Sequence, residues 1–262
     1  MSPIARHARI PRPAAGFDAR GFAGLLRSLA LYYGVPGRNR RLRAFYADLV
    51  LPGDLVFDIG AHVGNRARAL HAVGATVVAV EPQPLFAAFL RRTLPRERII
   101  LVEQAVGAHE GEAALLISRR HPTVSTADRR FPHTVGTTAG FDKVRWDCSV
   151  TVPMTTLDRL VAAYGRPAFV KIDVEGLEAD IIGALSAPVP LLAFEYLPAA
   201  PEITAACLDR LESLGAYRLN AVVGEEHRFV WPDWVEPGEA AARLRALCRS
   251  GRSGDLYARL VR

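Results

Sequence analysis

The chain has 262 residues, a formal net charge of +6 and 50% hydrophobic residues. That composition excludes a disordered or fibrous chain and suits one α/β domain with additions. Three widely spaced cysteines without a C-x-x-C pair exclude a disulfide framework and a cysteine zinc site. A reducing compartment fits, and the expected location is the cytoplasm. No apolar run reaches the roughly 18 residues of a membrane span, so none is expected. The arginines are scattered and not interleaved with aromatics, so no nucleic-acid partner is expected. The sequence does not give the oligomeric state.

Met1 to about Ala19 is rich in Arg, Pro and Ala and reads as a disordered tail. It has no apolar stretch before a small-residue cleavage site, so it is not read as a signal peptide. Residues 21–49 read as two helices, because Leu25, Leu26, Leu29, Tyr32 and Tyr33, then Leu42, Phe45, Tyr46 and Leu49, recur at helical spacing. Gly34, Pro36 and Gly37 break them. From residue 55 strands and helices alternate. Strands are expected at 55–59, 76–80, 99–104, 112–117, 169–174 and 191–196. Helices are expected at 65–73, 84–94, 156–164, 176–185 and 203–214. Residues 150–153 read as short and extended, and 217–222 with 228–231 as a terminal antiparallel pair. Such alternation predicts a doubly wound, mostly parallel seven-stranded sheet with helices on both faces. The division read from this is a tail and helical cap (1–50), an α/β domain (51–235) and a C-terminal helical extension (236–262). Residues 118–149 lack periodicity, as a functional loop does. They read as a substrate lid, with Ser125 and Thr126 near the cofactor or acceptor.

Two motifs carry the chemistry. In Val56-Phe57-Asp58-Ile59-Gly60-Ala61-His62-Val63-Gly64 an apolar strand ends in a glycine turn. In Val77-Val78-Ala79-Val80-Glu81-Pro82 the next strand ends in an acid, 23 residues after Asp58. Glycines let backbone approach a nucleoside, and an acid at that tip accepts ribose hydroxyls. His62 and Asn65 stand where a dinucleotide motif has its second and third glycines, and Asp58 would repel a pyrophosphate. A nicotinamide dehydrogenase is therefore disfavoured. The D-x-G-x-x-x-G form resembles motif I of class I S-adenosylmethionine-dependent methyltransferases. That resemblance implies that Asp58, Gly60 and Gly64 surround the methionine part of the cofactor and that Glu81 holds the ribose.

The second motif is Val170-Lys171-Ile172-Asp173-Val174-Glu175-Gly176. Its charges alternate with apolar residues in a strand that should be buried on both faces. Buried charge is costly unless paired, and ligands bind at strand C-termini, so these charges are expected at the active-site crevice. With Glu81-Pro82, Gln104-Ala105-Val106-Gly107, Thr155-Thr156-Leu157-Asp158 and Phe194-Glu195-Tyr196, the segment closely resembles the FkbM-type methyltransferases. The similarity spans about residues 51–220. The family usually has Asn where this chain has His62. It implies O-methylation of a sugar, glycolipid or natural product, with S-adenosylmethionine as cofactor and a small-molecule or glycan acceptor. The cofactor-binding residues so expected are Asp58, Gly60, Ala61, His62, Gly64, Asn65, Glu81, Pro82, Gln104, Ala105 and Asp173.

A hydroxyl acceptor must lose a proton, so a base within hydrogen-bond reach is needed. The expected catalytic residues are Asp173, Glu175 and Glu195 as carboxylates, with Lys171 tuning them or binding the acceptor. The bland alternative is a structural ion pair between Lys171 and Glu175. Two such close acids could also bind a divalent metal, although no metal ligand is assigned. Asp158 reads as part of a helix start. His121 and His133 are placed to reach a cleft, and Tyr196 reads as an acceptor contact or a rim aromatic. The competing functions are an N- or carboxyl-methyltransferase and an inactive cofactor-binding scaffold.

Overall fold

The computed structural model describes residues 19–136, 138 and 141–261; the expected N-terminal tail lies outside these, apart from its last residue. Helices α1 (Ala19–Tyr33) and α2 (Arg38–Ala47) part at the Gly34–Gly37 break, and Gly37 takes φ 78° before α2. The alternation then runs β1 (Leu55–Ile59), α3 (Asn65–Ala72), β2 (Thr76–Val80), α4 (Pro84–Thr93) and β3 (Ile99–Val102). A smaller unit follows, with β4 (Ala105–Val106), β5 (Gly111–Ile117), the short helix α5 (Phe131–Val135) and β6 (Cys148–Thr155). The chain returns through α6 (Leu157–Tyr164), β7 (Phe169–Ile172), α7 (Glu178–Gly183), β8 (Leu191–Tyr196) and α8 (Pro201–Leu214). It ends in β9 (Tyr217–Val223), α9 (Pro237–Arg249) and β10 (Gly254–Leu260).

Seven strands form the main sheet in the order β3-β2-β1-β7-β8-β10-β9. Its pairs are parallel except those of β10, which runs antiparallel to β8 and β9. The strand order reverses between β1 and β7, and an open α/β sheet binds ligand at such a switch point. A seven-stranded main sheet is present as expected, but only six of its strands were expected, and two other expected strands lie elsewhere. The stretch 112–117 and the extended piece 150–153 pair with each other, and β4-β6-β5 forms a separate three-stranded sheet. The partner of 217–222 is not 228–231, which contributes only isolated bridges such as Val222 to Phe229. Pro232 and Pro237 follow that stretch closely, and proline cannot donate to a ladder. The partner is β10, so the reading of residues 236–262 as wholly helical is corrected: α9 is followed by a strand in the sheet interior.

Alternate strand residues feed two apolar layers. Phe57, Ile59, Val170, Ile172, Leu192 and Phe194 pack with Leu157, Leu160, Ile181, Ile182, Leu208, Leu211 and Leu244 from α6 to α9. Val56, Val77, Ala79, Phe169, Ala193 and Tyr257 pack with Leu42, Phe45, Tyr46, Ala67 and Leu70 from α2 and α3. The parity also places Asp58 and Lys171, registered neighbours on β1 and β7, on the α2–α3 face. Among the described residues no helix is long and apolar enough to cross a membrane.

Leu256, fully buried at the centre of β10, reports whether that strand is integral. Leu256→Ala should cost about 2–5 kcal/mol in urea unfolding, as buried leucine truncations do. Ile100→Ala, at a side chain 40% exposed, should cost much less.

Candidate cofactor and acceptor site

The turn after β1 is fixed by backbone. The Gly60 and Ala61 N–H groups both donate to the Val80 carbonyl, each at 2.9 Å. Gly60 takes φ 85°, and a Cβ there would lie 1.8 Å from the Asp173 carbonyl oxygen. The residue must therefore lack a side chain for two separate reasons, its left-handed backbone and the strand end pressed against it. Gly64, at φ 76°, starts α3.

Glu81 is set by that same turn. Its Oε2 accepts the His62 N–H at 2.7 Å, and its Oε1 accepts the Gln83 N–H at 2.8 Å. Burial pushes its carboxyl up to about 7, against the pull of those two donors. His62 is half-buried, and desolvation lowers its pKa to about 3. Its ring stands edge-on to Tyr32 of α1 at 5.3 Å and to Phe86 of α4 at 4.2 Å, and its Nε2 lies 3.1 Å from Ser28 Oγ. So α1 is fastened to the glycine turn and forms one wall of the cleft.

One cleft is lined by Gly60, His62, Glu81, Pro82, Gln104, Ala105, Asp173, Glu175 and Glu195. These nine of the expected site residues thus meet. Asp58, Ala61, Gly64, Asn65 and Lys171 do not line it. Asp58 is 1% exposed on β1, behind the wall, and burial raises its carboxyl to about 6 despite nearby Arg66 and Lys171. Ala61 packs in the α2–α3 layer.

The acidic strand tips divide into held and unheld groups. Asp173 Oδ2 pairs with Arg66 Nη1 at 2.7 Å and Lys171 Nζ at 3.6 Å. Burial would raise the Asp173 carboxyl, but Lys171 and Arg66 outweigh it and hold it below the usual range. Lys171, fully buried, also pairs with Asp255 Oδ1 of β10 at 3.0 Å and donates to the Ile172 carbonyl at 3.0 Å. The possible Lys171–Glu175 ion pair is thus replaced by Asp173–Lys171–Asp255. Arg66 reaches on to Glu225 at 3.7 Å.

Glu175 and Glu195 have no such partner among the described residues: Oε2 of each is buried without a hydrogen bond. Burial, then repulsion from neighbouring acids, raises both well above the ordinary glutamate range. Glu175 does not continue the strand alternation. It takes φ 58°, a left-handed conformation that persists only where the surroundings over-determine it. Here Thr126 Oγ1 donates to the Glu175 carbonyl at 2.6 Å. Glu178 accepts the Val174 and Gly176 N–H groups at 3.1 and 3.0 Å.

The irregular segment 118–149 lines the cleft with Pro122, Thr123, Ser125 and Ala127. Ser125 lines the cleft and its Oγ accepts from Gln83 Nε2 at 3.0 Å, whereas Thr126 is buried beneath Glu175. His121 and His133 do not line the cleft. Tyr196 is 1% exposed within the core and is neither an acceptor contact nor a rim aromatic. Asp158 lies in the first turn of α6 and accepts the Ser186 N–H. Residues not expected from sequence are Arg66, Tyr32, Gln83, Phe86, Glu225 and Asp255. Arg66 was signalled only by its place two residues after Gly64, in the first turn above the strand tips.

A sheet with this strand order, a glycine turn opening on a carboxylate and an acidic second strand tip define a class I S-adenosylmethionine-dependent methyltransferase. The donor set fits that cofactor: the Gly60 turn leaves space that a Cβ would remove, and two backbone donors orient Glu81. The methyltransferase FkbM domain matches residues 58–233, about two thirds of the chain, and the protein belongs to that family. No curated protein matches the sequence significantly. Similar solved structures include the O-methyltransferase from Bacillus cereus in complex with S-adenosylhomocysteine, at 11% identity and TM-score 0.46, covering 95% of this chain and 93% of that one. Precorrin-6y C5,15-methyltransferase from Geobacter metallireducens GS-15 shares 14% identity at TM-score 0.43, with 84% and 87% covered. Magnesium protoporphyrin IX methyltransferase from Synechocystis PCC 6803 shares 10% at TM-score 0.42, with 90% and 84% covered.

Gly60→Ala should abolish S-adenosylhomocysteine binding in calorimetry, because Asp173 and the turn cannot both keep their places. Gly53→Ala separates the two causes. Gly53 also has positive φ, 93°, but its Cβ would meet nothing within 4 Å. It should cost only the roughly 1–2 kcal/mol of left-handed backbone and leave binding intact.

Proposed function

We propose that the protein methylates a hydroxyl on a sugar, glycolipid or natural-product acceptor, acting in the cytoplasm. The observation that carries this reading is the contrast among the cleft carboxylates. Asp173 is kept ionised by two cations, while Glu175 and Glu195 are raised toward the range where a carboxylate takes a proton. A hydroxyl nucleophile needs such a base, and a base works best with its pKa near the operating pH. An amine with a free lone pair needs none. Three free cysteines accord with a reducing compartment.

S-adenosylmethionine, when bound, supplies a methyl group on a sulfonium that an aligned nucleophile can take. Glu81 accepts the ribose hydroxyls. The turn of Gly60, Ala61 and His62 would present backbone to the methionine part, and Pro82, Gln104 and Ala105 would flank the base. Asp58, Gly64 and Asn65 shape that turn from behind. Asp173, held ionised, would offer its charge to the cofactor's cationic portion. Glu195 receives the acceptor proton at a carboxylate oxygen, with Glu175 beside it, and Lys171 is a positioning residue that fixes Asp173.

Two measurements test the assignment. Glu195→Gln should lower turnover with a panel of sugar and polyketide hydroxyl acceptors by about 10²–10⁴-fold, the usual share of a general base. Its affinity for S-adenosylhomocysteine should stay near that of the unaltered protein. Transfer to amines alone, insensitive to Glu195, would replace the hydroxyl reading.

The second measurement is the pH dependence of S-adenosylhomocysteine affinity. An ionised Glu81 accepts both ribose hydroxyls, and a protonated one loses acceptor capacity. With its carboxyl near 7, affinity should fall by up to about tenfold per pH unit below that point and level off above it. Glu81→Gln should bind weakly with that slope removed; an unchanged affinity refutes the ribose contact.

A further inference from the structure

The tips of β7 and β8 bring Asp173, Glu175 and Glu195 to one place in the cleft wall. One carboxylate oxygen of each lies within 4.8 Å of the other two. Two separate strands and a left-handed turn are needed to make them converge. Two of the three also differ from ordinary surface acids. Oε2 of Glu175 and Oε2 of Glu195 each expose less than 1 Å² and have no hydrogen-bond partner, and both residues line the cleft. A buried carboxylate oxygen without a partner is costly, by several kcal/mol when charged.

The wall does not compensate them from within. Glu81, Asp173, Glu175, Glu195, Glu225 and Asp255 line the cleft against one lining cation among the described residues, Arg66, with Lys171 behind. Both cations are engaged elsewhere, Arg66 on Asp173 and Glu225, and Lys171 on Asp173 and Asp255. Six carboxylates against two cations leave four negative charges in excess if all ionise. The excess centres on the two glutamates with no counter-ion among the described residues.

We propose that Asp173, Glu175 and Glu195 form a binding site for a divalent cation of the magnesium or manganese kind. Its remaining coordination positions face the cleft and take hydroxyl oxygens of the acceptor. The inference rests on the hydroxyl-methylation reading of the same cleft and adds to it a means of seating the acceptor. The donor set is all oxygen, which suits hard cations and not zinc or copper. Oxygens about 2.0–2.6 Å from a shared ion lie at most about 4–5 Å apart, so the spacing requires only small side-chain rotations. Each carboxylate offers one oxygen, which leaves a second on Glu195 for a proton. The Arg66 pair takes Asp173 Oδ2 and leaves the other oxygen of that carboxylate for the ion.

The test is a titration of the full-length protein with manganese chloride alone, read by electron paramagnetic resonance, with calorimetric titration of S-adenosylhomocysteine in parallel. The expected result is one manganese ion per chain, with Kd in the range of about 10⁻⁴–10⁻³ M typical of weak oxygen sites, displaced by excess magnesium. Glu175→Gln and Glu195→Gln should each weaken manganese binding by at least about tenfold and leave the S-adenosylhomocysteine affinity within a few-fold. Two variants guard against one failing to fold. If S-adenosylhomocysteine binds but manganese does not, the cation site is overturned and the methyltransferase assignment stands. Manganese bound equally well by the double variant overturns the choice of ligands. Failure of S-adenosylhomocysteine to bind the folded protein strikes the cofactor reading instead.

Discussion

The site depends on one buried charge arrangement. Lys171 has no exposed surface and would be strongly destabilising if unpaired. Asp173 on one side and Asp255 on the other keep it charged, and Arg66 closes the chain through Asp173 to Glu225. These five residues come from α3, β7, β10 and the segment after β9. A purely apolar layer could pack in several registers; this one admits only the register in which each charge meets its partner. Removing one member would strand the rest in a region with little water, which is why breaking a buried pair costs more than the pair contributes.

That arrangement also explains how one cleft holds carboxylates in different states. Asp173 and Glu195 stand at neighbouring strand tips, and only Asp173 lies within reach of the two cations. Asp173 is therefore held below the ordinary carboxylate range, and burial and neighbouring acids push Glu195 above it. Glu175 joins the second group because a left-handed turn, pinned by Thr126 and Glu178, points it inward. Backbone geometry and charge placement together assign the acids their chemistry.

Much of this was legible in the sequence, and the limits have physical causes. The parallel core could be read because apolar runs at 55–59, 76–80 and 169–172 stop at glycine or acid, and the ligand crevice must form at those stops. The charges in Lys171-Ile172-Asp173 could be read as functional because they violate the apolar pattern of a doubly covered strand. Which charge meets which could not be read, since Arg66 and Asp255 lie 107 and 82 residues from Asp173 in the chain. β10 was hidden for a related reason. Its Leu256-Tyr257-Ala258 centre follows an amphipathic helix without a proline, and short apolar runs do not separate strand from helix by periodicity. Tyr196 shows the converse error: a residue beside a strand-tip acid was read as near the ligand, but alternation turned it into the core.

The placement of β10 has a consequence for how the chain acquires its shape. Strand β10 lies between β8 and β9, and both of these neighbours are made before it. Until residues 254–260 leave the ribosome, β8 carries an unsatisfied edge and β9 has no partner strand in the main sheet. An open edge of that kind is a template for pairing with other chains, and late non-local pairing is slow. The cleft inherits the same timing, because Asp255 arrives with β10. Lys171 lacks its second counter-charge until then, so the Gly60 turn and the acid wall are completed by separate events, the wall last.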